Sequence, residues 1–156
     1  MVPRIAVLSM HTSPLAALGG KETGGMNVYV RELDRALAAR GWHIDVFTRL
    51  QDPAAPRIQT VRGDNHRVIQ IPAGPTESVD RRQLFPCLPE FVDGVLRFCD
   101  QDNVRYDLVH SHYWLSGWAA LKLRQVWGAP IVHMFHTLGR MKNRVANGPE
   151  QQEADN

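Results

Sequence analysis

R-I-A-V-L-S-M-H-T-S-P, residues 4–14, is the stretch that decides the architecture. Residues 4–9 are apolar almost throughout over a strand-like length. A strand of this kind is buried on both faces, as in parallel sheets covered by helices. A loop carrying Pro14, Gly19 and Gly20 follows. Over residues 25–40 the pattern is helical, with Met26, Val30, Leu33 and Leu37 on one stripe. Gly41 stands where a helix-ending glycine belongs, and I-D-V-F-T at 44–48 reads as the next strand. Strand, loop, helix and strand in this order predict a βαβ unit.

Working outward, residues 58–61 and 67–71 flank Gly63-Asp64-Asn65 and predict a hairpin or two edge strands. Leu88, Phe91, Val92, Val95, Leu96 and Cys99 form one helical face, with Pro89 in the first turn. Residues 108–110 read as a strand. Residues 115–126 read as a helix, apolar on most sides and therefore expected to be well buried. Residues 131–135 form the last strand, with His133 inside it. Apolar periodicity ends near Gly139, and the polar tail 144–156 is expected to be disordered. The fold class expected is α/β: a Rossmann-like parallel sheet flanked by helices. Right-handed crossovers place the loops after the strands on one edge, where ligands bind. His11, Gly24-Gly25, His110-Ser111-His112-Tyr113 and His136-Thr137 all fall there.

The 156 residues suffice for one domain with a core of its own. Hydrophobic residues at 44% and charged residues at 22% fit a soluble globular chain. No apolar run approaches the ~20 residues of a membrane span, and no signal peptide is visible. Cys87 and Cys99 sit in a helical pattern and read as buried thiols of a reducing, cytoplasmic setting. A net charge of +2 is too small for a nucleic-acid partner, which needs a concentrated basic face.

Four motifs carry candidate chemistry. Gly19 to Asn27 (G-G-K-E-T-G-G-M-N) leads into a helix whose free N–H groups favour phosphate. Its spacing matches neither the Rossmann fingerprint nor a Walker loop, and a plain flexible loop reads equally well. His110 and His112 share a side only in an extended segment; with His133 and His136 they raise a metal site. No carboxylate or cysteine completes one, so no metal is expected. His136 ends a strand, where it could contact a reacting hydroxyl or cap the next turn. Arg81-Arg82 could clamp a phosphate or simply belong to a solvated face.

Six strings then follow in order: S-M-H-T-S-P (9–14), T-G-G-M-N-V-Y-V (23–30), A-G-P (73–75), H-S-H-Y-W-L-S-G (110–117), W-G-A-P (127–130) and F-H-T-L-G-R-M-K-N (135–143). Together they resemble the N-terminal, acceptor-side domain of a family 4 (group 1) retaining glycosyltransferase. The likeness is to the branch holding the D-inositol-3-phosphate glycosyltransferases and the sucrose-phosphate synthases.

The resemblance implies one half of a two-domain, glycosyltransferase B-type fold with its active site in the cleft between the halves. Residues 1–143 would bind the acceptor, a phosphorylated sugar or inositol. The other half would bind the donor, a UDP-, GDP- or ADP-sugar, and no covalently bound cofactor is implied. Position by position, Gly24 and Gly25 would lie near the donor diphosphate. His11, Thr23 and Asn27 would face the acceptor. Tyr113 and Thr137 would hold its phosphate with Arg81, which takes a position usually held by lysine. His136 would sit at the reacting centre, where configuration is retained. The donor-binding half is not found in these 156 residues, so the chain alone is expected to be inactive. A non-catalytic sugar-phosphate-binding module or an inactive remnant stays open as an alternative. A dinucleotide-binding domain fits less well, because the glycine spacing is wrong and no acidic residue closes the second strand.

Overall fold

The computed structural model describes residues 2–16, 24–77, 79–146 and 148. In chain order the elements are β1 (Arg4–Leu8), α1 (Gly25–Ala39), β2 (His43–Arg49), β3 (Ile58–Arg62), β4 (His66–Ile71), α2 (Leu88–Asp102), β5 (Leu108–His112), α3 (Tyr113–Trp127), β6 (Ile131–Met134) and α4 (Gly139–Asn143). Two 3₁₀ turns, Arg81–Gln83 and Phe85–Cys87, lead into α2. Of the tail expected to be disordered, residues 147 and 149–156 lie outside the described residues.

The six strands form one sheet in the order β3-β4-β2-β1-β5-β6. All neighbours are parallel except β3 and β4, so the sheet is mixed rather than wholly parallel. The exception follows from the chain between them. Gly63 adopts a φ of 52°, a left-handed conformation that glycine takes without steric cost, and the short reversal makes an antiparallel hairpin. Of these two strands β3 lies at the edge; β4 is interior and buried on both faces.

The alternation of side chains divides the core in two. Ile5, Val7, Ile44, Val46 and Val68 lie together with Val30 and Ala38 of α1. Ala6, Leu8, Phe47, Ile69, Ile71 and Val109 lie with the apolar faces of α2 and α3 on the other side. Two expectations about these helices need correction. The buried line of α1 is Asn27, Val30, Asp34 and Ala38, while Met26, Leu33 and Leu37 flank it half-buried. Hydrogen bonds turn the helix this way. The Asn27 amide donates to Thr12 Oγ1 at 2.8 Å, and Asn65 donates to Ala38 O at 2.9 Å. In α3, Trp118, Leu121 and Val126 are 47%, 49% and 64% exposed, so this helix keeps an open apolar flank.

Both cysteines are free thiols, with Cys99 buried and Cys87 half-buried. Burial foremost pushes the Cys99 thiol up to about 12. No described helix is long and apolar enough to cross a membrane.

Asp34 is the anomaly of the fold. It is fully buried under α1, and neither carboxyl oxygen has a hydrogen-bond partner. Burial pushes its pKa up to about 8, so the folded chain holds a proton that the unfolded chain releases near 3.8. The stability contributed by the neutral acid is complete below that lower value and is lost as pH rises towards about 8. Asp34→Ala is expected to raise stability near neutral pH by about 1–3 kcal/mol and to flatten this decline. Denaturant titrations across the range check it; equal pH slopes in both proteins would contradict the buried carboxyl.

Candidate functional site

The parallel strands deliver their following loops to one edge of the sheet. After β1 the chain stays buried through Ser9, Met10, His11 and Thr12. Two hydrogen bonds clamp it: Ser9 Oγ donates to Thr12 O at 2.8 Å, and Met10 N–H donates to Ser116 Oγ of α3 at 3.0 Å. Asn27 reaches back from α1 and donates to Thr12 Oγ1 and, at 2.7 Å, to Ser13 O. Its Oδ1 is left buried and unpaired. Thr23 and the G-G-K segment before it lie outside the described residues.

Gly24 and Gly25 open α1, exposed and without a side-chain cap. Gly24 has extended backbone (φ −156°), which any residue adopts. A Cβ at either position would meet nothing within 4 Å. Nothing in the described chain therefore demands glycine here. What two glycines do supply is close access to the positive end of a helix and its unpaired N–H groups.

The loop after β4 is held from beneath by Arg49, the last residue of β2. This side chain is 1% exposed. Its Nη1 donates to Pro75 O and its Nη2 to Glu77 O, the latter at 2.7 Å. Gly74 N–H donates to Glu90 Oε2 at 2.7 Å, and a Cβ at Gly74 would run into the Cys87 sulfur. The loop is thus fixed where it turns towards Arg81. The two adjacent arginines then part. Arg82 pairs with Asp80 at 2.6 Å and holds that carboxyl well below the usual range. Arg81 donates through Nε to Tyr113 Oη at 3.0 Å. Its guanidinium carbon is 5.8 Å from the Tyr113 ring centre, so the hydroxyl contact dominates. The Tyr113 ring lies 4.7 Å from that of His11. Tyr113 opens α3 with a φ of 71°, a conformation rare for an aromatic residue. His11, Arg81 and Tyr113, three candidates from distant segments, are brought together.

Beside them lies a histidine group. His110 and His112 share one face of extended β5, with ring centres 4.1 Å apart. His112 Nδ1 is 2.9 Å from His136 Nε2, and Tyr29 meets both rings edge-on at 6.0 and 5.5 Å. Burial first and neighbouring histidines second push His110 down to about 4 and His112 down to about 2. His133 points to the opposite face of the sheet, where its Nδ1 is 2.8 Å from Ser111 Oγ. The alternation of β6 separates it from the others. No group of three or more histidine, cysteine, aspartate or glutamate residues is disposed to hold a metal among the described residues. Thr137 is exposed on the loop after β6, next to His136.

Arg49, Tyr29 and the His112–His136 contact had not been singled out from sequence. A charged residue closing an apolar strand was the available signal for Arg49.

The family described as "Glycosyl transferase 4-like domain" matches residues 24–154. D-inositol 3-phosphate glycosyltransferase of Corynebacterium diphtheriae is 44% identical over 156 residues, covering 99% of this chain and 36% of that protein. The protein of the same name from Xylanimonas cellulosilytica is 47% identical over 142 residues, covering 90% of this chain and 34% of its own. Sucrose-phosphate synthase of Thermosynechococcus elongatus superposes with a TM-score of 0.88 at 40% identity, over 97% of this chain and 37% of that one. The chain spans about a third of the length of the curated relatives it matches.

Arg49→Met removes the cation that holds the carbonyls of Pro75 and Glu77. Hydrogen exchange in the 74–77 loop is expected to speed by about tenfold, the equivalent of about 1.4 kcal/mol of local stability. Unchanged protection would remove Arg49 from the support of this loop.

Proposed function

The chain belongs to the glycosyl transferase 4-like family, and from that premise we propose that it is the acceptor-binding part of a retaining glycosyltransferase. The sugar comes from a nucleotide-sugar, with UDP, GDP or ADP as the leaving nucleotide, and goes to a phosphorylated inositol or sugar. The observation that carries the acceptor assignment is the Arg81–Tyr113 contact. A guanidinium and a phenol hydroxyl from segments 32 positions apart meet at the ligand-binding edge of the sheet. A cation with hydroxyl donors suits a phosphate dianion better than a neutral sugar. The Thr137 hydroxyl adds a donor from the next loop, and His11 backs the Tyr113 ring. Asn27 belongs to the acceptor side of the same loop system, and Thr23, outside the described residues, is assigned to the acceptor by resemblance alone.

On the donor side, the start of α1 at Gly24 and Gly25 faces the leaving diphosphate. Departure of a nucleoside diphosphate develops negative charge, which preorganised N–H groups stabilise without rearrangement. The absence of any packing demand for glycine at these two positions supports this reading. His136, on the adjoining loop, lies at the reacting centre. Residues 1–143 form the acceptor domain, and a separate donor-binding domain completes the cleft. The two free cysteines support a reducing, cytoplasmic setting.

Calorimetry with D-inositol 3-phosphate tests the acceptor assignment on this chain. Binding is expected, with Arg81→Ala weakening it by at least about tenfold and Tyr113→Phe by less, as loss of a charged partner exceeds loss of a hydroxyl. Binding that ignores Arg81→Ala would take Arg81 out of the site. No sugar transfer from UDP-, GDP- or ADP-glucose is expected from the purified chain by itself. Turnover would show that the donor half is not required.

A further inference from the structure

The three histidines at the sheet edge confine where their protons can sit. His112 is fully buried at the end of β5. Its Nδ1 stands 2.9 Å from Nε2 of His136, while its own Nε2 is buried with no hydrogen-bond partner. A single proton joins the two rings, and two arrangements satisfy the distance. In one, His136 Nε2–H donates to His112 Nδ1. Neutral His112 then carries its proton on Nε2 and strands an N–H in the interior. In the other, His112 Nδ1–H donates to His136 Nε2, and only a lone pair is left on the buried nitrogen. Orphaned buried N–H groups are rarer than under-satisfied acceptors, so the second arrangement is the less costly. Burial and the neighbouring histidines push both rings down from the ordinary value, which favours the neutral forms near neutral pH.

We infer that His112 is a positioning residue: its Nδ1–H donates to His136 Nε2 and fixes His136 in the tautomer that carries its proton on Nδ1.

The backbone gives His112 something to hold. Thr137 N–H donates to Phe135 O at 2.6 Å, with His136 between them at a φ of 60°. That is the positive-φ form of the γ-turn, rare and strained. Such strain persists only where the surroundings over-determine it. Here the tie comes from β5, a strand at the interior of the sheet, and Tyr29 of α1 closes over both rings. On this face His110 and Tyr29 are the titratable neighbours; β6 contributes Val132 and Met134, and His133 lies on the other face.

The assignment limits the chemistry of His136. Its Nε2 lone pair is occupied, and its other ring nitrogen is a donor. Within the transferase reading, on which this step rests, His136 donates a hydrogen bond to a substrate oxygen and does not take a proton from the acceptor.

Imidazole ¹⁵N–¹H correlation spectra of the 156-residue chain test the tautomer directly. His136 and His112 are each expected to show a single Nδ1–H pattern at neutral pH. In His112→Leu the His136 pattern should change, with Nε2–H becoming populated and its titration midpoint moving towards the ordinary 6.5. His112→Asn keeps an amide donor at similar reach and should preserve the Nδ1–H pattern. A wild-type His136 protonated on Nε2 overturns the inference, as does an Nδ1–H pattern that survives His112→Leu unchanged. If the leucine variant does not fold, the wild-type spectrum and the asparagine variant still decide. Binding of D-inositol 3-phosphate is read separately. Its absence beside an intact tautomer pattern counts against the transferase reading and leaves the His112 assignment standing.

Discussion

The pairing of β1 with β5, from Ile5 beside Leu108 to Leu8 beside Ser111, joins the first strand to the fifth in one direction. Because the two run parallel and in this register, residues 9–11 leave the sheet next to residues 112–113. His11 and Tyr113 therefore meet although a hundred residues separate them, and Met10 is tied to Ser116 by the same geometry. At the other edge the register is locked by charge. Buried Asp45 accepts from Arg67 at 2.7 and 2.9 Å and from Tyr106 Oη at 2.8 Å. That hydrogen bonding holds the Arg67 guanidinium more firmly in its charged form, and burial pushes the Tyr106 phenol up. A carboxylate with three charge-assisted or hydroxyl donors is a satisfied buried ion, unlike Asp34 on the opposite face. The sheet thus separates an edge that is locked from an edge that is equipped for chemistry.

Among the described residues three non-glycine residues have a positive φ, and they are not equivalent. Asn103 is the C-cap of α2, a position where asparagine takes the left-handed conformation as ordinary helix termination. Tyr113 and His136 have no such local reason. Tyr113 follows β5 directly and His136 comes two residues after the end of β6, and each is held by side chains from elsewhere: Tyr113 by Arg81 and His11, His136 by His112. The strain falls just past the ends of β5 and β6, beside the proposed acceptor.

The β1–α1–β2 unit, the hairpin at Gly63 and the face of α2 were legible because each rests on local periodicity or a local turn. What the sequence concealed depends on distant partners. The direction of β3 is set by its short reversal at Gly63, but whether β3 or β4 lies at the edge is settled by β2. The buried line of α1 is set by Thr12 and Asn65, which reward Asn27 and Ala38 over the larger Leu33 and Leu37. Arg49 looks like the end of a strand until the loop that it supports is folded over it. The open flank of α3 was hidden for the opposite reason: periodicity cannot distinguish an apolar residue that is covered from one that is not. Among the site candidates, His11, Arg81 and Tyr113 converge, while His133 is turned away by strand alternation that its spacing alone did not resolve.

The strand order also sets a timetable. During synthesis β1 leaves the ribosome first, yet one of its two edges stays empty until β5 arrives. The Arg4–Asp107 hydrogen bond beside that pairing spans 103 positions. At ~5–20 residues per second the wait is about 5–20 s. β2, β3 and β4 need no such delay, since all three lie within residues 43–71 and pair among themselves. Co-translational folding therefore starts from the hairpin side, and β1 is paired on both edges only when the fifth strand is inserted, the slow closure expected of a non-local contact. The equipped edge of the sheet, built on residues that flank β1 and β5, therefore forms later than the hairpin side.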